Sequence, residues 1–105
     1  MTKDEVAPAE EFARRVRSRL GEACREIILF GSRARGTARP ESDYDVMIIV
    51  DRASDVLHRM VQDTAFETAL ELDCVFSPVV FDSQMYEQDR YEPLFVNVRR
   101  EGIAI

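Results

Sequence analysis

Apolar positions recur along the chain with two distinct periods, and these divide it into helices and strands. From Pro8 to Ala23, Phe12, Val16 and Leu20 stand at i, i+4 and i+8, which predicts an amphipathic helix. Pro8 suits its first turn and Gly21 its stop. Arg14, Arg15, Arg17 and Arg19 then fall on its outer side, with Glu10 and Glu11 in the first turn. Glu26 to Phe30, EIILF, is a short apolar run that predicts a strand buried on both faces. Ser32 to Arg39 loses that pattern and predicts a short helix with Ser32 as N-cap, ended by Pro40.

Asp43 to Val50, DYDVMIIV, predicts a second strand, and Ser54 to Leu70 a second long helix capped by Ser54. Its stripe is Leu57, Met60, Val61 and Ala65; Phe66 lies off it and points to a second buried side. Glu71 to Phe81, ELDCVFSPVVF, reads as a third strand, and Pro78 puts that strand at a sheet edge or a bulge. Ser83 to Glu101 is helical with an interruption near Pro93; its apolar side is Leu94, Phe95 and Val98 and its stop is Gly102. Ile103 to Ile105 either adds a short strand or packs on the core. The sum is an α/β (α+β) chain, a small mixed β-sheet with helices packed on it, expected to be one domain over residues 1–105.

Composition changes this picture little. At 105 residues, 46% hydrophobic and 32% charged, the chain has the make-up of a folded domain, which argues against disorder. A formal charge of -6 argues against strong nucleic-acid binding, because that affinity comes largely from Lys and Arg neutralising phosphates; a local basic patch stays open. Cys24, Cys74 and the single His58 form no zinc-ligand spacing, and the cysteines read as free buried thiols. The polar opening from Thr2 to Glu5 carries no signal-peptide pattern, and no apolar run is long enough for a membrane span. A cytoplasmic protein is the default expectation.

The candidate chemistry lies in Leu29 to Val50, LFGSRARGTARPESDYDVMIIV. Gly31 and Ser32 are followed by ten residues and then by Asp43 and Asp45. Period two sets Asp43, Asp45, Met47 and Ile49 on one face of the second strand, so both carboxylates project the same way. Magnesium takes hard oxygen ligands and keeps some waters, so two or three carboxylates hold it. Gly31 lets backbone approach phosphates closely, and Ser32 offers a hydroxyl and an amide at a helix start. Arg33 and Arg35 are near enough to add charge-assisted bonds, although each taken alone is more often a solvated residue. Alternation along the third strand sets Glu71 and Asp73 on one face, and Asp73 is the better candidate for a third metal ligand or a general base. His58 reads as an exposed bystander and Tyr86 and Tyr91 as packing residues. Arg99 and Arg100 suit the dipole of the last helix.

Gly31-Ser32, ten residues, then Asp43-Tyr44-Asp45, together with the run GSRARG from Gly31 to Gly36, resembles the signature of the minimal nucleotidyltransferases, a branch of the DNA polymerase beta superfamily. The resemblance extends over nearly the whole chain, including the closing segment Pro93 to Ile105, PLFVNVRREGIAI. It implies a polymerase beta-like nucleotidyltransferase core and transfer of AMP from ATP with Mg2+ as cofactor. Gly31 and Ser32 would hold the triphosphate, Asp43 and Asp45 the metal, and Asp73 would match the third carboxylate. Larger relatives carry an additional domain for the acceptor. Small members are often encoded beside a HEPN-domain ribonuclease toxin and act as its antitoxin by adenylylating a tyrosine. The resemblance thus implies a hetero-oligomer with a HEPN-type toxin. Two alternatives stand beside it: a binding module that neutralises its partner without turnover, and transfer to a small molecule.

Overall fold

The computed structural model describes residues 3–105; Thr2, at the head of the polar opening, lies outside them. Helix α1 (Lys3–Leu20) leads through a 3-10 turn (Gly21–Ala23) into strand β1 (Cys24–Phe30). Helix α2 (Gly31–Arg35) and a loop follow, then β2 (Tyr44–Val50), α3 (Asp55–Leu72), β3 (Phe76–Asp82), α4 (Ser83–Gln88), α5 (Pro93–Glu101) and β4 (Ile103–Ala104). The sheet order is β3-β2-β1-β4. β1 runs antiparallel to β2 and to β4, and β2 runs parallel to β3, which makes the sheet mixed. The parallel pair requires a crossover, and α3 provides it.

Period two distributes the strand residues as their pattern predicts. Tyr44, Val46, Ile48 and Val50 join Ile27 and Leu29 in a core under Phe12 and Val16 of α1 and Val61 and Ala65 of α3. Met47, Ile49 and Ile28 join Tyr86, Phe95 and Val98 in a smaller core on the opposite face. Each large side chain buried here is worth about 1.5–3 kcal/mol relative to exposure. β2 therefore has an apolar neighbour on both faces and, between β1 and β3, a strand on both edges. β1, between β2 and β4, is enclosed in the same way, with Ile27 and Leu29 on one face and Ile28 on the other. Pro78 lies on β3, the edge strand, where its missing N–H interrupts no central ladder. No described helix is long and apolar enough to cross a membrane.

Several boundaries differ from the sequence pattern. α1 begins at Lys3, so Pro8 lies inside the helix and not at its start. A proline there removes the N–H that would pair with the carbonyl four residues earlier, in the first turn, and the rest of the helix keeps its ladder. Phe66 is 67% exposed and buries no second side of α3. The buried residues of α3 are Val61, Thr64, Ala65 and Thr68, a single stripe, in which the Thr64 and Thr68 hydroxyls donate to the carbonyls of Met60 and Thr64. The arginines of α1 are not merely an outer surface. Arg15 bridges Glu11 and Glu71, and Arg19 pairs with Glu67, so they join α1 to α3. Tyr86 packs edge-on against Phe95, with the Arg99 guanidinium 4.0 Å from its ring centre. Tyr91, at 95% exposure, packs on nothing, contrary to its expected packing role.

Candidate active site

The end of β1 and the start of β2 meet at one rim of the sheet, where Phe30 pairs with Asp45. Between them the chain makes α2 and returns through residues 36–43. Gly31 has φ +73, a left-handed conformation that disfavours any side chain. The space is also closed, because a Cβ at residue 31 would run into Asp45 Oδ2. Backbone and carboxylate are in contact only because this residue is glycine. The cap position of α2 is Phe30, so Ser32 is not the N-cap but a first-turn residue. The N–H groups of that turn have no intrahelical acceptor, which leaves them for an anion.

Arg33 does not face the rim as a free cation. Its Nε and Nη2 donate to the Ser42 carbonyl at 3.2 and 2.7 Å, Nη2 also donates to the Pro40 carbonyl at 3.1 Å, and the guanidinium lies 4.2 Å from the Tyr44 ring centre. In this structure the group braces the loop that delivers Asp43, where the sequence suggests a phosphate ligand. Arg35 Nη1 makes a 3.2 Å ion pair with Glu101 Oε2 at the end of α5. It stays close enough to Asp45 for its charge to favour that carboxylate's ionised form.

Asp43 is exposed just before β2, and Asp45 is half-buried in its first turn of pleat. The Asp45 carboxyl is pushed above its ordinary range, mainly by burial and further by the charge of Asp43, against the pull of Arg35. Neither carboxylate has an ion-pair partner among the described residues. Two like charges on one face, one of them desolvated and neither paired, form a hard-oxygen donor set that a divalent cation would relieve. Magnesium is commonly held by one or two carboxylates with phosphate oxygens and water completing its shell, so the pair fits that ion.

Asp73 is placed differently from its expected position. α3 continues through Glu71 and Leu72, and Asp73 is its C-cap in a left-handed conformation, φ 53 and ψ 53. The stretch TALEL is made mostly of good helix formers, so the helix runs on until the β-favouring FSPVVF begins. Glu71 and Asp73 are therefore not alternate residues of a strand. No group of three or more His, Cys, Asp or Glu gathers around a metal-sized site among the described residues. A triad of Asp43, Asp45 and Asp73 is not assembled.

The β3 residue that faces the pair is Ser77, in register with Asp45 and donating its hydroxyl to Asp43 Oδ2 at 3.0 Å. Sequence reasoning missed it because the strand was begun too early; counting back by two from Phe81 and Val79 reaches it. Beside this rim, Ala65, Phe66, Ala69, Leu70 and Phe76 line a groove of about 450 Å³ between α3 and β3. Phe66 and Leu70 stand 67% and 70% exposed in it. Through Asp73, Cys74 and Val75 the groove continues into a hollow against Pro40, Glu41 and Ser42.

The family model of the nucleotidyltransferase domain matches residues 9–93. A Methanocaldococcus jannaschii protein named a candidate protein adenylyltransferase is 29% identical over 99 residues, covering 94% of this chain and 95% of its own. A second protein of that organism with the same description is 28% identical over 97 residues, covering 85% of this chain but only 63% of its own length. Among solved structures, a chain of a toxin-antitoxin with AMP-PNP superposes with a TM-score of 0.64 at 21% identity, over 90% of this chain and 70% of its own. A chain from a complex of tri-AMPylated Shewanella oneidensis HEPN toxin with MNT antitoxin gives 0.61 at 18% identity, over 95% of this chain and 70% of its own. These superpositions speak to the fold.

Proposed function

The chain belongs to the nucleotidyltransferase domain family, and from that premise we propose that it transfers AMP from ATP to a protein acceptor, a tyrosine of a HEPN-type toxin, and so acts as an antitoxin. The observation that carries the reading is the contact of Gly31 backbone with Asp45, with Asp43 alongside. Phosphate-facing amides and metal-facing carboxylates then share one rim. The acceptor oxygen forms a bond to the α-phosphorus, the bond from that phosphorus to the pyrophosphate oxygen breaks, pyrophosphate leaves, and the acceptor proton passes to solvent. Asp43 and Asp45 would hold a magnesium ion, whose chemistry there would be neutralisation of charge on the triphosphate oxygens.

The chain's own residues do the rest by position. The amides of Gly31 and Ser32 hold phosphate oxygens, and Arg35 can exchange its exposed pairing with Glu101 for a phosphate. Arg33 keeps Asp43 in place through the Ser42 carbonyl. A protein acceptor is favoured by the groove, since exposed Phe66, Leu70 and Val75 suit a protein surface better than a nucleic acid or a small polar substrate. Two relatives carry protein adenylyltransferase names, and one structural neighbour holds an AMPylated toxin, which supports the same acceptor class.

The test is incubation of the chain with ATP labelled at the α-phosphate, Mg2+ and a HEPN-type protein encoded beside it. Label on a partner tyrosine, absent with the Asp43→Ala plus Asp45→Ala variant, is the expected result. Neutralisation of the partner by that double variant, with no label transferred by the wild type, overturns transfer in favour of binding alone. Label in low-mass products redirects the reading to a small-molecule acceptor.

A further inference from the structure

Ser77 lies where the two carboxylates and the neighbouring strand converge. β3 pairs in parallel with β2 so that Asp45 faces Ser77, Met47 faces Val79 and Ile49 faces Phe81. Met47, Ile49, Val79 and Phe81 all belong to the same small core, so Ser77 projects to the face that carries Asp45. Its hydroxyl reaches Asp43 Oδ2 at 3.0 Å. It is half-buried, whereas Asp43 is exposed. Asp43 precedes β2 and has no ladder of its own to fix its side chain; among the described residues its carboxylate has this one hydrogen-bond partner. An exposed aspartate with a free χ1 would spend much of its time turned away from Asp45.

We propose that Ser77 is a positioning residue for metal binding, holding the Asp43 carboxylate beside Asp45, and that it occupies the seat of a third carboxylate in a site built with two. The inference rests on the nucleotidyltransfer reading only for the cation's purpose; the cation's affinity can be measured without any acceptor. A hydroxyl at this seat has two consequences. It donates to one oxygen of Asp43 and leaves the other for a ligand. It also adds no third negative charge beside two neighbouring carboxylates. With only two anionic ligands, a divalent cation is held weakly until phosphate oxygens complete its shell, and metal and nucleotide enter together.

The test uses the full chain and Mn2+ as the probe, with free Mn2+ read from its electron paramagnetic resonance signal, alone and with a non-hydrolysable ATP analogue. Ser77→Thr keeps the hydroxyl and Ser77→Val is its isostere without one; both β-branched residues suit a strand, so any folding loss is common to them. Ser77→Val is expected to weaken Mn2+ binding about 10-fold, the lower end for loss of a group that orients a metal ligand, with Ser77→Thr close to wild type. Ser77→Asp is expected to bind Mn2+ without nucleotide at least about 10-fold more tightly than wild type, and to melt lower than wild type when metal is absent. Equal affinities for the Thr and Val variants overturn the positioning role. No tightening in Ser77→Asp overturns the third seat. Absence of Mn2+ binding by the wild type with the analogue present overturns the inference and the transfer reading together. A persisting Thr–Val contrast with no labelled product sinks the transfer reading alone.

Discussion

Acidic residues meet opposite fates in two regions of this molecule. Along the seam between α1 and α3, Glu11 accepts from Arg14 and Arg15, Glu71 accepts from Arg15 at 2.5 Å, and Glu67 accepts from Arg19 at 2.5 Å. Hydrogen bonds from Arg14 and Arg15 hold the Glu11 carboxyl down at about 2. At the rim of the sheet the Asp45 carboxyl is pushed up instead, by burial and by Asp43, and no arginine closes on either one. Both regions were free to place arginines. The seam uses them to join two helices, while at the rim Arg33 turns to backbone carbonyls and Arg35 to Glu101. The rim leaves its two carboxylates without an ion-pair partner among the described residues, which is what the proposed cation would meet, and the seam pairs its own.

The largest effect separates activity from stability. Asp43→Asn plus Asp45→Asn is expected to lower transfer by about 10³-fold or more, because on the proposed reading the cation these carboxylates would hold would neutralise charge developing in the transition state. The same double variant is expected to melt at or above the wild-type temperature in metal-free buffer, since it removes a repelling, partly desolvated pair. A marked fall in melting temperature would show that the rim is as structurally committed as the seam, and the contrast would collapse.

Gly31→Ala comes next. It must adopt a left-handed φ at a cost of about 1–2 kcal/mol, and its methyl must displace the Asp45 carboxylate. A shift of that kind in a reacting geometry is worth about 10²-fold in rate, to be read from labelled transfer at saturating ATP. Arg33→Ala should be milder. It frees the Ser42 and Pro40 carbonyls and loses the stack on Tyr44, costing roughly 1–2 kcal/mol in urea unfolding and about 10-fold in transfer. If Arg33→Ala instead abolished nucleotide binding with stability unchanged, Arg33 would belong to the phosphates after all.

How much of this could be read beforehand follows from which signals are local. Period two in DYDVMIIV placed both faces of β2 correctly, because a strand packed on both sides leaves its alternation no freedom. Gly31 was legible as a special position, and its reason, the nearness of Asp45, needed the fold. Asp73 failed at a boundary. Helix and strand propensities overlap in ELDCV, and shifting the strand start from Glu71 to Phe76 moves the acid off the sheet and Ser77 into its place. The roles of Arg15, Arg19 and Arg33 were not legible at all, since an arginine reaches partners far away in sequence, as Arg15 reaches Glu71. Long flexible cations carry no period.

The smallest prediction tests the comparison most directly, through the sign of two pH dependences. The folded Glu11 carboxyl, at about 2, lies below its ordinary 4.5, so its contribution to stability is present above 4.5 and is lost as pH falls toward 2. The folded Asp45 carboxyl lies above its ordinary 3.8, so its ionisation opposes folding; the penalty is absent in acid and develops as pH rises through the raised value. Glu11→Gln should therefore destabilise at neutral pH and Asp45→Asn should stabilise, and both differences should shrink as urea midpoints are followed into acid. Glu11 is solvent-accessible, and salt should reduce its difference further. Added Mn2+ should leave the Glu11 difference unchanged and reverse the Asp45 difference, because a bound cation favours the ionised carboxylate that burial disfavours. Two differences of the same sign, or an Asp45 difference indifferent to Mn2+, would mean that the rim's carboxylates are relieved from within the protein and that no cation is called for there.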